Sequence, residues 1–221
     1  MRFILGLIIV IILAFLVSSV YSASSVLGKR IVIDAGHGGT DIGSAECSVL
    51  EKDVTLDIAQ RLQAKLETNG AIVTMTRTDD STKSNNDRYT LANSVNGDVL
   101  ISIHLNGSTD RSVNGTLGLY GKRGKDKDFT TVLHNRLASE LGVSDQGITN
   151  FASGVLLKSN MPSSIQERVF ISNTNECSRL TDGSGDRQQE IADSLYNGLV
   201  DWFNQPPSDD KPGNGKGRPN K

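Results

Sequence analysis

The chain has 221 residues, of which 37% are hydrophobic, and a formal net charge of -2 at pH 7. This length and apolar content fit one domain with a sizeable core, and nothing indicates a second comparable domain. The charge balance argues against a nucleic-acid partner, because such proteins normally carry a strongly basic face or stripe. Only two cysteines are present, which excludes a disulfide-built scaffold and a zinc site made of cysteines alone.

The N-terminal segment, residues 1–23, has the features of an export signal. Arg2 supplies the positive charge, an unbroken apolar run covers residues 3–17, and small residues follow near the expected cleavage position. The uncharged run continues to Gly28, so an uncleaved membrane anchor with Arg2 inside is the alternative. Both interpretations place the folded domain outside the cytoplasm, as a secreted, wall-associated or periplasmic protein.

The first half of the remaining chain alternates strands and helices. A β-branched apolar run at residues 30–34, stopped by glycines, predicts a buried strand. A long helix ending at Asn69-Gly70 follows. Its apolar residues recur every four positions: Val54, Ile58, Leu62 and Leu66. Strands are then predicted at 71–76 and 98–105, with a short helix over 87–95 between them.

The second half continues the pattern. Strands are predicted at 116–120, 154–158 and 164–170. Two amphipathic helices carry the apolar sets Phe129, Val132, Leu133, Leu137 and Leu141, and Ile191, Leu195, Leu199 and Trp202. Residues 205–221 hold four of the five prolines without apolar periodicity and are predicted to be a disordered tail. The predicted fold class is α/β, a single domain with a mostly parallel twisted sheet and helices on both faces.

Two histidines follow predicted strands. His37 lies in a glycine-rich loop after the first strand, and His104 ends the strand at 98–105. Either residue alone is more simply explained as a polar loop residue or a hydrogen-bonded buried histidine. Functional groups of open α/β sheets collect at the carboxyl ends of strands, so the joint placement favours a shared metal. His134 lies on a helix beside the apolar stripe and is predicted to be structural.

A catalytic zinc site needs three protein ligands and an open position, and two imidazoles with one carboxylate are a common set. Glu51 is the candidate third ligand, because it begins the helix that is entered from the His37 loop. The stretch from Ser48 to Glu51 also fits a helix capping box. Spacing alone leaves these two roles of Glu51 equally supported.

Four motifs occur in the order of a known family, on a compatible strand and helix pattern. They are Ile33-Asp-Ala-Gly-His-Gly-Gly39, Glu51, Ser102-Ile-His-Leu-Asn106, and Glu167 with Phe170-Ile-Ser-Asn173. The chain thereby closely resembles the zinc-dependent N-acetylmuramoyl-L-alanine amidases of the Amidase_3 type. The resemblance covers about residues 29–203, nearly the whole predicted domain at 29–204. It implies hydrolysis of the amide bond between the lactyl group of muramic acid and L-alanine in peptidoglycan.

The resemblance also implies roles for individual residues. One zinc ion per chain would be held by His37, Glu51 and His104, and the carboxylate of Glu167 would act on the water that the zinc activates. Two further residues of the motifs, Asp34 and Asn106, are predicted to bind substrate or to support the metal ligands. The expected partner is peptidoglycan, and the expected assembly is a monomer.

The chain departs from the family pattern at Arg168, next to Glu167. A nearby cation would depress the pKa of Glu167 and weaken it as a base. Strand alternation instead places Arg168 on the opposite face together with Ser164 and Gln166, and this polar face predicts an exposed or edge strand. Two other functions stay open. Arg168 is the only support for a catalytically degenerate wall-binding module, and a zinc peptidase acting on the stem peptide would use similar metal chemistry.

Cys47 and Cys177 lie in loops that border the predicted site of an exported protein. A bridge between them is therefore a hypothesis, which requires Cα atoms within roughly 7 Å. The alternative is two unpaired small residues.

Overall fold

A computed structural model describes residues 25–205 of the chain. The predictions for residues 1–23 and for residues 206–221 of the tail lie outside the described residues. Eight strands are present in this part: β1 Arg30–Ala35, β2 Ala45–Glu46, β3 Val49–Leu50, β4 Ile72–Met75, β5 Val99–Asn106, β6 Thr116–Tyr120, β7 Asp145–Asn150 and β8 Ser163–Phe170. Six helices accompany them: α1 Glu51–Thr68, α2 Asn85–Ser94, α3 Lys125–Glu140, α4 Gly154–Lys158, α5 Thr174–Thr181 and α6 Asp186–Phe203.

Six of the strands form one sheet in the order β4-β1-β5-β8-β6-β7, and β2 pairs with β3 in a separate hairpin. The neighbours in the large sheet run parallel, except that β6 is antiparallel to β8. This confirms the predicted α/β class and the mostly parallel sheet.

Helices cover both faces of the sheet, as predicted. The long helices α1, α3 and α6 pack against one another and against one face, where they bury the main core. The short helices α2 and α4 contact each other on the opposite face. A smaller core lies beneath them: Val32, Ala92, Leu100, Val155 and Met161. Among residues 25–205, no helix combines the length and the apolar character that crossing a membrane requires.

The strand predicted at 154–158 is wrong, because Gly154–Lys158 forms helix α4. Residues 154–158 contain three consecutive apolar side chains, too few for periodicity to separate a strand from a buried helix. Val155 and Leu156 are both buried, which a single helical turn achieves as well as a strand. Strand β7 was not predicted, because its residues are half-buried or exposed and therefore show no apolar alternation.

Strand β8 confirms the strand predicted at 164–170 but corrects its predicted exposure. It lies between β5 and β6, so it is neither an edge strand nor exposed. Helix α3 contacts this strand, and the Thr130 hydroxyl of α3 donates to Ser164 Oγ at 2.9 Å. Gln166 Nε2 donates to the same hydroxyl. The polar face of β8 is therefore buried, with part of its hydrogen-bonding capacity satisfied inside the fold.

Candidate metal centre

The three predicted ligands meet at the carboxyl ends of neighbouring parallel strands. His37 lies two residues beyond β1, and His104 belongs to β5, which pairs directly with β1. Glu51 is the first residue of α1, which follows the β2–β3 hairpin. Parallel pairing sets the ends of β1 and β5 side by side, and the hairpin returns the chain to the same edge.

The donor atoms of these ligands form a compact triangle. His37 Nε2 lies 3.0 Å from Glu51 Oε1 and 3.1 Å from His104 Nδ1. His104 Nδ1 lies 3.3 Å from Glu51 Oε1. Tetrahedral zinc with bonds of about 2.0–2.2 Å places its ligand atoms roughly 3.3 Å apart. The separations, the mixed imidazole and carboxylate donors and the single triangular face all fit a zinc ion with one open position.

Asp41, four residues after His37, supports this fit and was missed by the sequence analysis. Its Oδ1 lies 2.9 Å from His37 Nδ1, the ring nitrogen that faces away from the triangle. Histidines that bind metals usually donate this second N–H to a carboxylate or carbonyl, which fixes the tautomer and the ring orientation. The sequence contained a clue to this contact, because Asp41 is an acidic residue in the same loop, four positions after His37.

Glu51 is held by backbone donors on both of its carboxylate oxygens. Leu105 N donates to Oε1 at 2.9 Å, and Ser44 N donates to Oε2 at 2.9 Å. The capping-box interpretation is wrong: the N-cap of α1 is Leu50 and no side chain caps it, while Ser48 lies in the hairpin turn with φ 66°. The carboxylate of Glu51 therefore points into the triangle instead of closing the helix end.

Protonation within the triangle is strongly coupled. Burial opposes ionisation of Glu51, but the hydrogen bonds and charges of His104 and His37 outweigh it and hold the pKa of Glu51 well below its usual range. Burial also works against a charged His37, yet the contacts with Glu51 and Asp41 prevail and raise the pKa of His37. The two shifts have one origin, because the Glu51 carboxylate and the His37 imidazole each favour the charged form of the other.

Two glycines are needed because side chains of the triangle approach their backbone closely. A Cβ atom on Gly36 would stand 2.5 Å from the His104 ring, and one on Gly43 would stand 2.6 Å from Glu51 Oε2. Gly36 therefore makes space for the His104 ring.

Glu167 lies beside the triangle on β8. It is the register partner of His104 across the β5–β8 pair, so the two side chains lie on the same face of the sheet. Burial, reinforced by the charge of Glu51, outweighs the opposing charges of His104 and Arg168 and raises the pKa of Glu167. Arg168, the next residue, is fully buried, and the β5–β8 register shifts directly after Glu167.

Asp34 is a buried carboxylate behind the His37 loop. It accepts hydrogen bonds from Thr76 Oγ1, Ser102 Oγ and Arg88 Nη1, each at 2.6 Å. Burial alone would raise its pKa, but Arg88 and the two hydroxyls lower it. Arg88 also donates to the carbonyl of His37 at 2.8 Å. Asp34 is therefore connected to the metal centre through Arg88 and the loop backbone.

The triangle and Glu167 open into a cleft of about 930 Å³. Asn106 lines its rim at the end of β5, where its side chain accepts a hydrogen bond from Gly107 N. One wall is apolar and is formed by Leu117, Leu119, Phe151, Val155 and Ile165. The cleft combines an apolar wall with a few convergent polar groups, which is the usual character of a ligand site.

The remaining predictions concern residues around the site. Cys47 and Cys177 form a disulfide with Cα atoms 5.8 Å apart, which confirms the hypothesised bridge and ties the β2–β3 turn to α5. His134 is buried on α3, and its Nε2 lies 2.6 Å from Asp145 Oδ1. It stands apart from the metal triangle, in agreement with a structural role.

Comparison with known proteins places this geometry in a family. The profile of the Amidase_3 family, described as N-acetylmuramoyl-L-alanine amidase, matches residues 31–201. The chain belongs to this amidase family. Among relatives, the amidase LytC of Bacillus subtilis is 33% identical over 181 residues, which cover 80% of this chain and 36% of LytC. The chain thus spans about a third of the length of that relative.

Other members of the amidase family match over most of their length. The germination-specific N-acetylmuramoyl-L-alanine amidase of Bacillus subtilis is 31% identical over 195 residues, covering 80% of this chain and 81% of the relative. The catalytic domain of the amidase CwlV from Bacillus (Paenibacillus) polymyxa superposes with a TM-score of 0.74 at 31% identity, covering 79% and 98% of the two chains. The structure of an N-acetylmuramoyl-L-alanine amidase from Clostridium difficile 630 superposes with a TM-score of 0.74 at 31% identity. The match covers 80% of this chain and 97% of that one.

Proposed function

We propose that this chain hydrolyses the amide bond between the lactyl group of N-acetylmuramic acid and L-alanine in peptidoglycan. The observation that carries the proposal is the triangle of His37, Glu51 and His104 beside the buried carboxylate of Glu167, at the floor of an open cleft. Membership of the amidase family supports the assignment of this amide bond as the one that is hydrolysed. The relatives named as N-acetylmuramoyl-L-alanine amidases support a substrate that contains this linkage, and we propose peptidoglycan.

The donor set supports zinc as the cofactor, one ion per chain. Zinc held by His37, Glu51 and His104 would supply Lewis-acid chemistry, making water nucleophilic near neutral pH and polarising the scissile carbonyl. Asp41 orients the His37 ring, and the backbone N–H groups of Ser44 and Leu105 fix the Glu51 carboxylate. These contacts hold the ligands in place before a metal arrives.

Glu167 acts as the general base and then as the general acid. Its carboxylate takes a proton from the attacking water and returns it to the departing amine of L-alanine, so no covalent intermediate with the protein is required. Burial raises the pKa of Glu167, which suits a group that must both accept and release a proton near neutral pH. Asn106 is proposed to contact substrate at the rim, and Asp34 to support the His37 loop through Arg88.

Digestion of purified sacculi tests the proposal against its two alternatives. Free glycan strands with intact stem peptides, identified by mass spectrometry, are expected from an amidase. Trimmed stem peptides would indicate a zinc peptidase, and undigested sacculi that retain the protein would indicate a wall-binding module. The module has support only from Arg168, the fully buried neighbour of Glu167 in β8.

We further propose that residues 1–23 direct export and that the domain acts on the wall as a monomer. The Cys47–Cys177 disulfide supports an oxidising compartment, because such bridges rarely persist in the cytosol. Several relatives are named as probable cell wall amidases, which agrees with this location. Sequencing the N-terminus of the secreted protein, together with light scattering for its mass, tests both points; a protein retained in the cytoplasm would contradict export.

A further inference from the structure

Two backbone carbonyls flank the ligands that come from the His37 loop and from α1. Gly36 directly precedes His37, and Lys52 directly follows Glu51. The segments containing them belong to different elements, since one leaves β1 and the other begins α1. Whatever fixes the distance between these two carbonyls also restricts the distance between the two ligands.

The same two side chains bind both carbonyls. Arg77 Nη2 donates to Gly36 O at 2.8 Å and to Lys52 O at 2.7 Å. The Thr55 hydroxyl lies 2.9 Å from Gly36 O and 3.1 Å from Lys52 O, and Arg77 Nη2 lies 3.2 Å from that hydroxyl. We call these two side chains and two carbonyls the carbonyl bridge. It connects the His37 loop to the first turn of α1 behind the metal centre.

The carbonyl bridge is rigid for reasons that are visible in its surroundings. Arg77 is 3% exposed and Thr55 is 0% exposed. Arg77 Nε also donates to Ala35 O at 3.0 Å, and Nη1 donates to Asp79 O at 3.0 Å. All three nitrogens of the planar guanidinium are therefore occupied, and a rotation that improved one contact would break another.

The acceptors of Arg77 indicate that geometry is its main role. Its partners are backbone carbonyls and one hydroxyl, whereas the neighbouring Arg88 is paired with the Asp34 carboxylate at 2.6 Å. A buried arginine that forms an ion pair with a carboxylate has a role in charge neutralisation. Arg77 instead donates its hydrogen bonds to backbone carbonyls, including those of the two segments that contain the ligands.

We propose that Arg77 and Thr55 are positioning residues that set the spacing between His37 and Glu51 for metal binding. The inference rests on the proposed zinc site. Groups that hold metal ligands in place typically contribute a factor of about 10–100 to metal affinity. Loosening the carbonyl bridge is expected to weaken zinc binding to the folded protein, in addition to any effect on stability.

Thr55→Val tests the hydroxyl with little change in shape, and Thr130→Val is its matched control. Thr130 is also a fully buried helical threonine, but its hydroxyl contacts Ser164 on the face covered by α3. We expect the zinc Kd, measured by chelator competition on folded protein, to rise about 10-fold in Thr55→Val and to stay near wild type in Thr130→Val. Thr55→Ser retains the hydroxyl, so its zinc affinity should stay near that of the wild type.

Arg77→Lys provides a second test, because lysine keeps the charge but loses the planar fork. Its zinc Kd is expected to rise by about 10–100-fold. The visible absorption spectrum of the Co²⁺-substituted protein should also change, since the spectrum reports ligand geometry. The spectrum of Thr130→Val should match that of the wild type.

The outcomes separate this inference from the proposed function. If the wild type binds zinc and both Thr55→Val and Arg77→Lys bind it as tightly as Thr130→Val does, the positioning role is overturned while the metal centre stands. If the wild type takes up no zinc, the metal centre itself is wrong and the inference falls with it. A rise in Kd confined to Thr55→Val and Arg77→Lys supports both.

Discussion

Two arginines, Arg168 and Arg187, are each 1% exposed or less, yet their surroundings are opposite. Arg187 makes a double contact with the Glu176 carboxylate, at 2.7 Å from both Nε and Nη2. Among the described residues, no hydrogen-bond partner reaches Nε, Nη1 or Nη2 of Arg168. Burial lowers the pKa of Arg168 to about 9. One guanidinium is compensated inside the fold, and the other is costly to bury.

This contrast predicts opposite effects for the same substitution. Arg168→Met should raise the free energy of unfolding by about 1–3 kcal/mol, because an unsatisfied buried group is removed. Arg187→Met should lower it by about 3–5 kcal/mol, because Glu176 is left buried without its partner. Urea unfolding measures both. A loss of stability in Arg168→Met comparable to that in Arg187→Met would show that Arg168 has partners in solution.

Glu167→Gln separates the proposed base from the metal ligands. Glutamine keeps the size of the side chain but cannot take a proton, so turnover on muropeptides should fall by about 10²–10⁴. Zinc content and thermal midpoint should stay near wild type, because Glu167 lies outside the triangle of ligands. The control is Glu190→Gln on α6, which alters a carboxylate paired with Arg179 of α5 and with Arg187 and should retain turnover. Hydrolysis at the parental rate, or loss of zinc, would contradict the role of Glu167.

Residue types at strand ends made part of this site predictable. His37 and His104 were recognisable because histidines after strands are chemically distinctive. Position made Glu51 a candidate ligand, and the resemblance decided its role and supplied Glu167. Thr55 and Arg77 were not recognised as parts of the site, since their contacts are to backbone carbonyls, which leave no trace in residue identity. Such contacts depend on how β1, β4 and α1 pack, and no local pattern encodes that packing.

At the level of elements, the long amphipathic helices were predictable and the short polar elements were not. Helix α1 has apolar residues at a regular spacing over 18 residues, and it was predicted with nearly its observed bounds. Helix α4 has five residues and β7 is mostly exposed, so neither contains a full period of apolar residues. The polar face of β8 was misjudged because its covering layer, α3, is contributed by a distant part of the chain.

The disulfide connects two elements that flank the site. Cys47 occupies the turn between β2 and β3 with φ 54°, and Cys177 lies in the first half of α5. The two residues are 130 positions apart in sequence. The bridge therefore closes a long loop of the unfolded chain. Closing a longer loop removes more conformational entropy from the unfolded state and so stabilises the fold more.

Removing the bridge should lower stability substantially. The double variant Cys47→Ser/Cys177→Ser is expected to lose about 2–5 kcal/mol of unfolding free energy. The wild type should lose a similar amount when it is unfolded in the presence of a reductant, whereas the variant should not respond to the reductant. Thiol titration of the denatured, unreduced wild type should find no free thiol. Two titratable thiols would show that the bridge does not form.

For the whole molecule, the sheet order explains why distant motifs form one site. Strands β1, β5 and β8 are consecutive neighbours in the sheet and run parallel. Their carboxyl halves bring His37, His104 and Glu167 to one edge, although at least 63 positions separate each of these residues from the next along the chain. Alternating strands and helices predicted a parallel sheet and a shared edge. The order of the strands depends on crossovers and packing, which periodicity does not specify.

Zinc binding by the whole molecule should depend on pH through His37. The contacts with Glu51 and Asp41 raise the pKa of His37 above its usual 6.5, and a metal requires the neutral imidazole. In the metal-free protein, the stability that these contacts contribute is fully present below pH 6.5 and is lost as the pH rises through the raised pKa. Glu51, whose pKa is lowered, stays ionised throughout this range.

The thermal midpoint of the zinc-loaded protein minus that of the metal-free protein should therefore increase from pH 6 to pH 8. Zinc affinity rises over this range while the metal-free fold loses the contribution of protonated His37, and a ligand that binds only the folded state stabilises it in proportion to RT ln(1 + [Zn]/Kd). Scanning calorimetry with and without chelator measures the difference. Glu167→Gln is the appropriate background, because Glu167 also has a raised pKa and would add its own titration. Asp41→Asn removes one contact that raises the pKa of His37. In this variant the difference between the two thermal midpoints should therefore begin to increase at a lower pH. A difference independent of pH in both proteins would contradict zinc binding through His37.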